Sequence, residues 1–393
     1  MSARKATNKP RDYNALDRVE PALPAAWYHD EEHYQRELRA IWQAHWIYLC
    51  RSEVLAEPGA YQTLGIGRQN VFVVRTTAGA LAGYFNTCRH RGSALVREPA
   101  GRMRPNVINC PYHAWCYSLE DGRLLATTSF TEPHGFERSE HGLFEIAVKE
   151  WRGSVWVNLD AGARWDTDEV FGDTWQNLQN FPLESWVLGH QWSRPIACNW
   201  KTFWDNYNEC LHCPVVHPGL IELVPLFKRG LLDEKDHPEW RAHRNTSDPR
   251  YRRGLRAGAE TFSEDGSAQG YGDTAALSDD DRSRGVTYGT ALPSTYIAAH
   301  SDHARIVRIV PTGPESIELS VDWLFKREAL DDPDYDTGNV TNFLKRVLTE
   351  DAAICELNQN GMRSEPFEHG VLMPEEYELK AFRVWLDGKL SGA

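Results

Sequence analysis

The sequence predicts an α+β protein in which an all-β module, residues 61–160, is set into a larger mixed α/β domain. Three observations carry that prediction. Short strand-like runs (YQTLGI, NVFVVRTT, ALAGYFNT, NVINC, AWCYSL, SVWVNLD) follow one another from residue 61, broken by turn signals such as Thr-Ala-Gly and Glu-Asp-Gly. A helix-spaced segment precedes them, and helical and strand patterns mix after residue 160. At 393 residues the chain holds one large domain or two ordinary ones, and a hydrophobic content of 41% is enough to bury real cores.

The elements follow in order. Residues 1–24 form a polar lead-in; their opening, MSARKATNKPRDYNALD, has no apolar centre and does not read as a secretory signal. Residues 25–60 are expected to be helical and to begin the larger domain. Over 31–46, Tyr34, Leu38, Ile41, Trp42 and Trp46 repeat at helical spacing. After the β module, residues 161–393 make the main part of that domain. Asn199 is placed to cap a helix over 200–212. Strands are expected in GVTYGTALPSTYIAAH, ARIVRIVP and SIELSVDWLF, and a final helix over 340–361. Between them the charged, Gly/Ser/Asp-rich stretch 233–284 lacks periodicity, and its length marks a lid, a binding loop or a disordered segment.

Composition narrows the function. A net charge of −13 argues against a nucleic-acid or anionic-membrane partner. The apolar runs are far shorter than the roughly eighteen residues that cross a bilayer. The eight cysteines (Cys50, Cys88, Cys110, Cys116, Cys198, Cys210, Cys213 and Cys355) are too sparse for a disulfide scaffold and fit a reducing cytoplasm. Locally the charge reverses. Arg89, Arg91, Arg97, Arg102 and Arg104, against Glu98, either brace one loop or make a basic rim for an acidic electron donor.

That loop carries the most informative motif. Cys88-Arg-His90 and Cys110-Pro-Tyr-His113 supply two thiolates and two imidazoles. Zinc accepts the same ligands, but zinc fingers keep their cysteines together and place their histidines together on a helix. Here each half carries one Cys and one His between strands, the pattern of a Rieske [2Fe–2S] centre, in which two Cys hold one iron and two His the other. Cys116 reads as core.

A second constellation lies at 199–218. On a helix, Asp205, Glu209 and His212 share one face. Pro214 ends the helix, and the turn swings His217 back toward His212. Two histidines and a carboxylate from elsewhere make a facial triad that leaves positions open on Fe(II). The carboxylate comes from the helix at 350–356, where periodicity does not choose among Glu350, Asp351 and Glu356.

These motifs resemble the catalytic α subunit of the Rieske non-haem iron oxygenases. The resemblance spans roughly residues 25–390 through CRHRGSAL (88–95), CPYHAW (110–115), DGRL (121–124), NWK (199–201), ECLHC…H (209–217) and EDAAICELNQ (350–359). It implies a Rieske [2Fe–2S] β domain inserted into a helix-grip catalytic domain of the Bet v1/START type. It implies Cys88 and Cys110 on one cluster iron, His90 and His113 on the other, and His212, His217 and Asp351 on mononuclear iron. Glu209 matches the family's bridging carboxylate, bonding His212 and accepting from a Rieske histidine of the next subunit of a homotrimer. Many members have Asp there; relatives acting on quaternary amines have Glu, as here, and Asp205 is the rival on the same face. Ala114 stands where many members have Gly.

The activity so implied is that of a terminal mono- or dioxygenase using O₂ and electrons from an NAD(P)H-driven ferredoxin or flavin/Fe–S reductase. Within the family the chain is most similar to the branch acting on choline, glycine betaine, carnitine and stachydrine, through DNYNECLHCPVVHP and GVTYGTALPS. Such enzymes hydroxylate carbon next to nitrogen, and N-methyl hydroxylation collapses to a demethylated amine and formaldehyde. Trp204, Tyr207, Tyr288, Tyr296 and Trp323 are candidates to line the pocket, since a quaternary ammonium is attracted to aromatic faces. Aromatic hydroxylation or N- or O-dealkylation is the alternative substrate class. A Rieske redox carrier without oxygenase activity is the alternative function, but it leaves His212 and His217 unexplained.

Overall fold

In strand Gln69–Arg75, four consecutive residues are buried because both faces of the strand are covered. Phe72 and Val74 pack into a small core with Tyr84, Ile108, Tyr117 and Leu124, and this core also takes in Cys88 and Cys110. Val71 and Val73, pointing the other way, join the main core of the chain. Side chains alternate across a strand, so a single strand welds the β module onto the larger domain. The structure is a computed structural model that describes residues 12–104 and 106–391.

The module has a four-stranded sheet ordered Leu81–Phe85, Gln69–Arg75, Ala60–Ile66 and Ala100–Arg102. Beside it is a three-stranded sheet of Val107–Asn109, Cys116–Ser118 and Leu124–Ala126. Cys88 follows the first sheet's edge strand, and Cys110 to His113 lie in the loop between the first two strands of the second.

The larger domain is built on a five-stranded antiparallel sheet ordered Val187–Ile196, Ser316–Phe325, His303–Gly313, Thr295–Ala299 and Thr287–Ala291. Helix Thr337–Gly361 buries Val340, Phe343, Leu344, Val347, Leu348, Ala352 and Cys355 at helical spacing. Those residues share one core with Val307, Ile309, Leu319 and Val321 of the sheet. A long helix packed on an antiparallel sheet is the helix-grip layout.

Several sequence expectations change. The regular helix is Glu31–Glu37, capped by Asp30, and it ends in a π turn at Leu38–Trp42 rather than at 46. Segment 25–60 is therefore not all helical. Ile47–Arg51 is a strand, buried throughout, paired with Ser154–Asn158 in a sheet completed by Ala147–Trp151. A short strand buried on both faces shows no alternation, so it is hard to tell from the end of a helix. The lead-in contributes strand Glu20–Pro24, which pairs with His369–Leu372; residues 1–11 lie outside the described residues. Strand Val187–Ile196 and the last helix, Tyr377–Leu390, have no counterpart in the sequence reading. Segment 233–284 folds as loops with short helical turns, two of them closed by capping boxes at Asp233 and Ser278. Among the described residues no helix is long and apolar enough to cross a membrane.

A buried polar clamp fixes helix Trp200–Tyr207. Lys201 and Glu37 are both fully buried and pair at 2.7 Å. The other Glu37 oxygen accepts from Trp200 Nε1 at 2.7 Å, and His33 bonds Glu37 at 3.0 Å. Glu37→Ala strands a buried ammonium and is expected to lower unfolding free energy by about 3–5 kcal/mol. The double variant Glu37→Leu/Lys201→Met should lose clearly less, and denaturant unfolding curves of the two check this.

Candidate active site

At the module's tip the cysteines are buried, His90 is exposed and His113 is half-buried. Cys88 and Cys110 are 2% and 4% exposed. Cys88 Sγ lies 3.1 Å from the Tyr117 hydroxyl, which also accepts from the Arg89 backbone N–H at 3.0 Å. The His90 and His113 rings approach edge-on at 4.7 Å, and His90 stacks on Trp115 at 4.7 Å. Ala114 adopts a left-handed φ of +49°, which explains why a glycine suits that position. The arginines divide. Arg89 braces the loop through the carbonyls of Gly142 and Glu140, and Arg102 through that of Pro58. Arg91 lies over the exposed Tyr112 ring, and Arg97 and Arg104 make no ion pair among the described residues.

The second centre departs from the expected helix. It ends at Tyr207, with Asn208 as its C-cap, so Asp205, Glu209 and His212 do not share a helical face. Asp205 turns away and accepts from the Tyr28 hydroxyl at 2.5 Å. Glu209 lies in the following turn. One oxygen accepts from His212 Nδ1 at 2.5 Å, and the other takes the backbone N–H groups of Leu211 and His212. A second short helix, Cys213–Val216, carries the chain to His217, which is 1% exposed. Cys210 and Cys213, whose Cα atoms are 5.0 Å apart, pair as a disulfide across this tight turn. The sequence reading expected reduced cysteines; the turn itself brings the two within bridging distance.

Among the three acids of the long helix, position decides. Asp351 Oδ1 lies 2.9 Å from His217 Nε2 and 3.6 Å from His212 Nε2. Glu350 instead accepts from His217 Nδ1 at 2.8 Å, and Glu356 accepts from the Ala197 backbone at 3.1 Å. The donor atoms of His212, His217 and Asp351 all fall within 4.8 Å of one another, a spacing that suits one cation. Each histidine commits Nδ1 to a carboxylate, which fixes its tautomer and leaves Nε2 free to ligate. Burial disfavours a charged His212 ring, but bonds to Asp351 and Glu209 outweigh it and raise its pKa to about 9. Asp351 is held below its ordinary value, its burial outweighed by the two histidines. The field at this point favours positive charge.

The ring hydroxylating alpha subunit (catalytic domain) family matches residues 183–392, and the Rieske [2Fe-2S] domain matches 45–137. The chain belongs to the Rieske ring-hydroxylating α subunits. It is similar to the glycine betaine monooxygenase oxygenase subunit of Chromohalobacter salexigens, with 27% identity over 89% of this chain and 81% of the relative. It is also similar to the chloroplastic choline monooxygenase of Beta vulgaris, with 27% identity over 92% of this chain and 76% of the relative. Its fold matches a quaternary ammonium Rieske monooxygenase studied for carnitine oxidation and inter-subunit electron transfer. That match has a TM-score of 0.73 and 21% identity, over 94% of this chain and 96% of the other. As a terminal Rieske oxygenase subunit, the protein carries a [2Fe–2S] cluster and mononuclear iron.

In this Rieske oxygenase the three donor residues open into a cavity of about 380 Å³. Tyr207, Tyr288 and Tyr296 line it, with Tyr207 and Tyr296 stacked at 4.3 Å. Trp204 and Trp323, expected to join them, are fully buried and do not line it. Trp204 spends its indole N–H on the Pro293 carbonyl at 2.7 Å, and Trp323 lies inside the central strand pairing. Phe203, Phe262, Phe343 and Arg305 line the cavity without having been anticipated. Arg305 left a trace in the sequence, a charged residue inside the apolar run ARIVRIVP. A second cavity of about 280 Å³ is lined by Tyr28, Asp205 and Arg383. Asn206, Glu209 and His212 line both cavities and so form the partition between them.

Burial pushes the Asp205 carboxyl from 3.8 up to about 7. The folded chain then holds a proton that the unfolded chain releases. This contribution is full below about pH 4 and is lost as pH rises through 7. Asp205→Asn is expected to flatten that fall in stability while iron content stays unchanged, as read by denaturant melts from pH 4 to 8 and metal analysis.

Proposed function

We propose that this terminal oxygenase oxidises a small quaternary ammonium compound, hydroxylating carbon next to nitrogen and so removing an N-methyl group as formaldehyde. The carrying observation is the tyrosine cluster Tyr207, Tyr288 and Tyr296 in the same cavity as the donors of His212, His217 and Asp351. Aromatic faces attract a desolvated quaternary cation by about 2 kcal/mol or more. Burial keeps Tyr207 and Tyr296 protonated, so they act as neutral rings rather than as bases. The names of the relatives, glycine betaine and choline monooxygenases, support the same class.

Cys88, Cys110, His90 and His113 would hold the cluster, and His212, His217 and Asp351 the iron; when bound, these groups supply single electrons and dioxygen activation. Glu350 and Glu209 orient the two histidines from behind. Glu209 also faces the second cavity, where a partner subunit's Rieske histidine would meet it in a homotrimer. His90 is exposed at the module's tip, as such a meeting requires. A ferredoxin or a flavin/Fe–S reductase driven by NAD(P)H would donate the electrons, and a cytoplasmic location is part of this proposal.

Glu209→Gln keeps the turn but loses the carboxylate. It is expected to lower turnover by roughly 100-fold with both iron species still present by electron resonance and metal analysis; unchanged turnover removes Glu209 from the electron path. For the reaction itself, O₂ uptake coupled to formaldehyde release should rise with glycine betaine, carnitine or choline. A rise only with neutral aromatics would favour ring hydroxylation or dealkylation, and a Rieske signal with no substrate-stimulated O₂ uptake would favour a redox carrier.

A further inference from the structure

Three arginines line the cavity, and two of them are paired. Arg253 bonds Asp233 at 2.5 Å and Arg284 bonds Asp280 at 2.6 Å, and both keep a third or more of their side chains in solvent. Arg305 is different. It is 4% exposed, and no carboxylate lies within ion-pair distance of it among the described residues. Its contacts are neutral: Nη1 donates to His300 Nε2, and the guanidinium lies 5.6 Å from the Phe262 ring centre. His300 cannot be a counter-charge. Its Nδ1–H donates to the Gly285 carbonyl at 2.9 Å, and burial, reinforced by His303 and Arg305, keeps the ring neutral. Asp302, three positions earlier in the chain, lies beyond ion-pair distance of Arg305; its Oδ1 takes Thr261 and His303, and its Oδ2 is buried without a hydrogen-bond partner. Arg305 Nε has no acceptor at all.

A guanidinium does not give up its proton, and a buried charge persists where a partner satisfies it. We infer that Arg305 is the anchor for an anionic group of the substrate, so that the enzyme selects a carboxylate-bearing quaternary ammonium, a betaine, over the carboxylate-free choline type. This rests on the reading of the cavity as the substrate pocket. The layout suits a zwitterion. Arg305 and Asp351 line the same cavity as Tyr207 and Tyr296, whose rings stack at 4.3 Å, so one small molecule there can meet aromatic faces and a guanidinium together. A planar five-donor fork fits a carboxylate bidentately, whereas a hydroxyl offers it little.

The test compares glycine betaine, carnitine, choline, benzoate and naphthalene as stimulants of O₂ uptake in the reconstituted holoenzyme and in Arg305→Gln and Arg305→Lys. The betaines should outperform choline in the native enzyme. Arg305→Gln should raise their KM by about 10- to 100-fold while leaving choline's unchanged, with Arg305→Lys between. Cluster absorbance and iron content serve as the folding control. Choline used as well as glycine betaine by the native enzyme would overturn the inference, and this arm needs no variant. An equal loss for every substrate in Arg305→Gln would also overturn it, since that is what a purely structural arginine produces. Stimulation by benzoate but by no ammonium compound would keep the anion anchor and remove the quaternary ammonium reading instead.

Discussion

Helix Trp200–Tyr207 is clamped from two sides by buried polar side chains, and the position of His212, His217 and Asp351 follows from that clamp. On one side Glu37 takes Lys201 and Trp200. On the other, Gln359 Oε1 accepts from the Asn199 backbone at 2.9 Å and from the Thr202 hydroxyl at 3.1 Å. Its amide donates to the Tyr28 carbonyl and to Glu315, both at 3.0 Å, so every polar atom of this buried side chain is used. Such a network is costly unless it is complete, and completing it fixes helix Trp200–Tyr207 against helix Thr337–Gly361. Gln359 lies about two turns beyond Asp351 on that long helix. The register that satisfies Gln359 is therefore the register that delivers Asp351 to His217.

The same rigidity gives the cavity its polarity. Glu209, Glu350 and Asp351 surround two histidines, a negative field suited to a cation. In the lining of the same cavity, Arg305 has no ion-pair partner among the described residues and lies against Phe262 and a neutral His300. Tyr207, Tyr288 and Tyr296 line that cavity too. Glu209 has a further position of its own, with one face toward His212 and the other toward the second cavity, so a single side chain touches both the ligand shell and the approach from outside.

Much was legible because it is local. Cys-x-His and Cys-x₂-His spacing survives in any loop that wraps a cofactor, and the alternating strands around it placed that loop on a β scaffold. His212 and His217 stood out for the same reason, although the helix expected to carry them stops at Tyr207. Asn208 caps it, and the tight disulfide turn, rather than helical periodicity, aligns the rings. Strand Ile47–Arg51 was hidden because it is buried on both faces, and strand Val187–Ile196 because its partly exposed face is polar. The aromatic wall was half legible. Tyr207, Tyr288 and Tyr296 reach the cavity, while Trp204 and Trp323 fill the core, a difference of side-chain direction that composition does not contain.

By itself the sequence pointed to the chemistry: two Cys/His pairs of the type that suits a [2Fe–2S] cluster, and two histidines with a nearby acid of the type that suits a single iron. Ligand type and short spacing are properties of the chain over a few residues, and they hold whatever the rest of the molecule does. Periodicity left Glu350, Asp351 and Glu356 open and the family resemblance pointed to Asp351; the tertiary structure brings Asp351 to within 2.9 Å of His217 Nε2. Successive residues on a helix point about 100° apart, and only packing against the sheet and the clamped helix selects which of them faces the histidines. The tertiary structure alone decided that Arg305 enters the cavity without a counter-charge, because pairing partners come from remote strands and loops that meet only when the chain has folded.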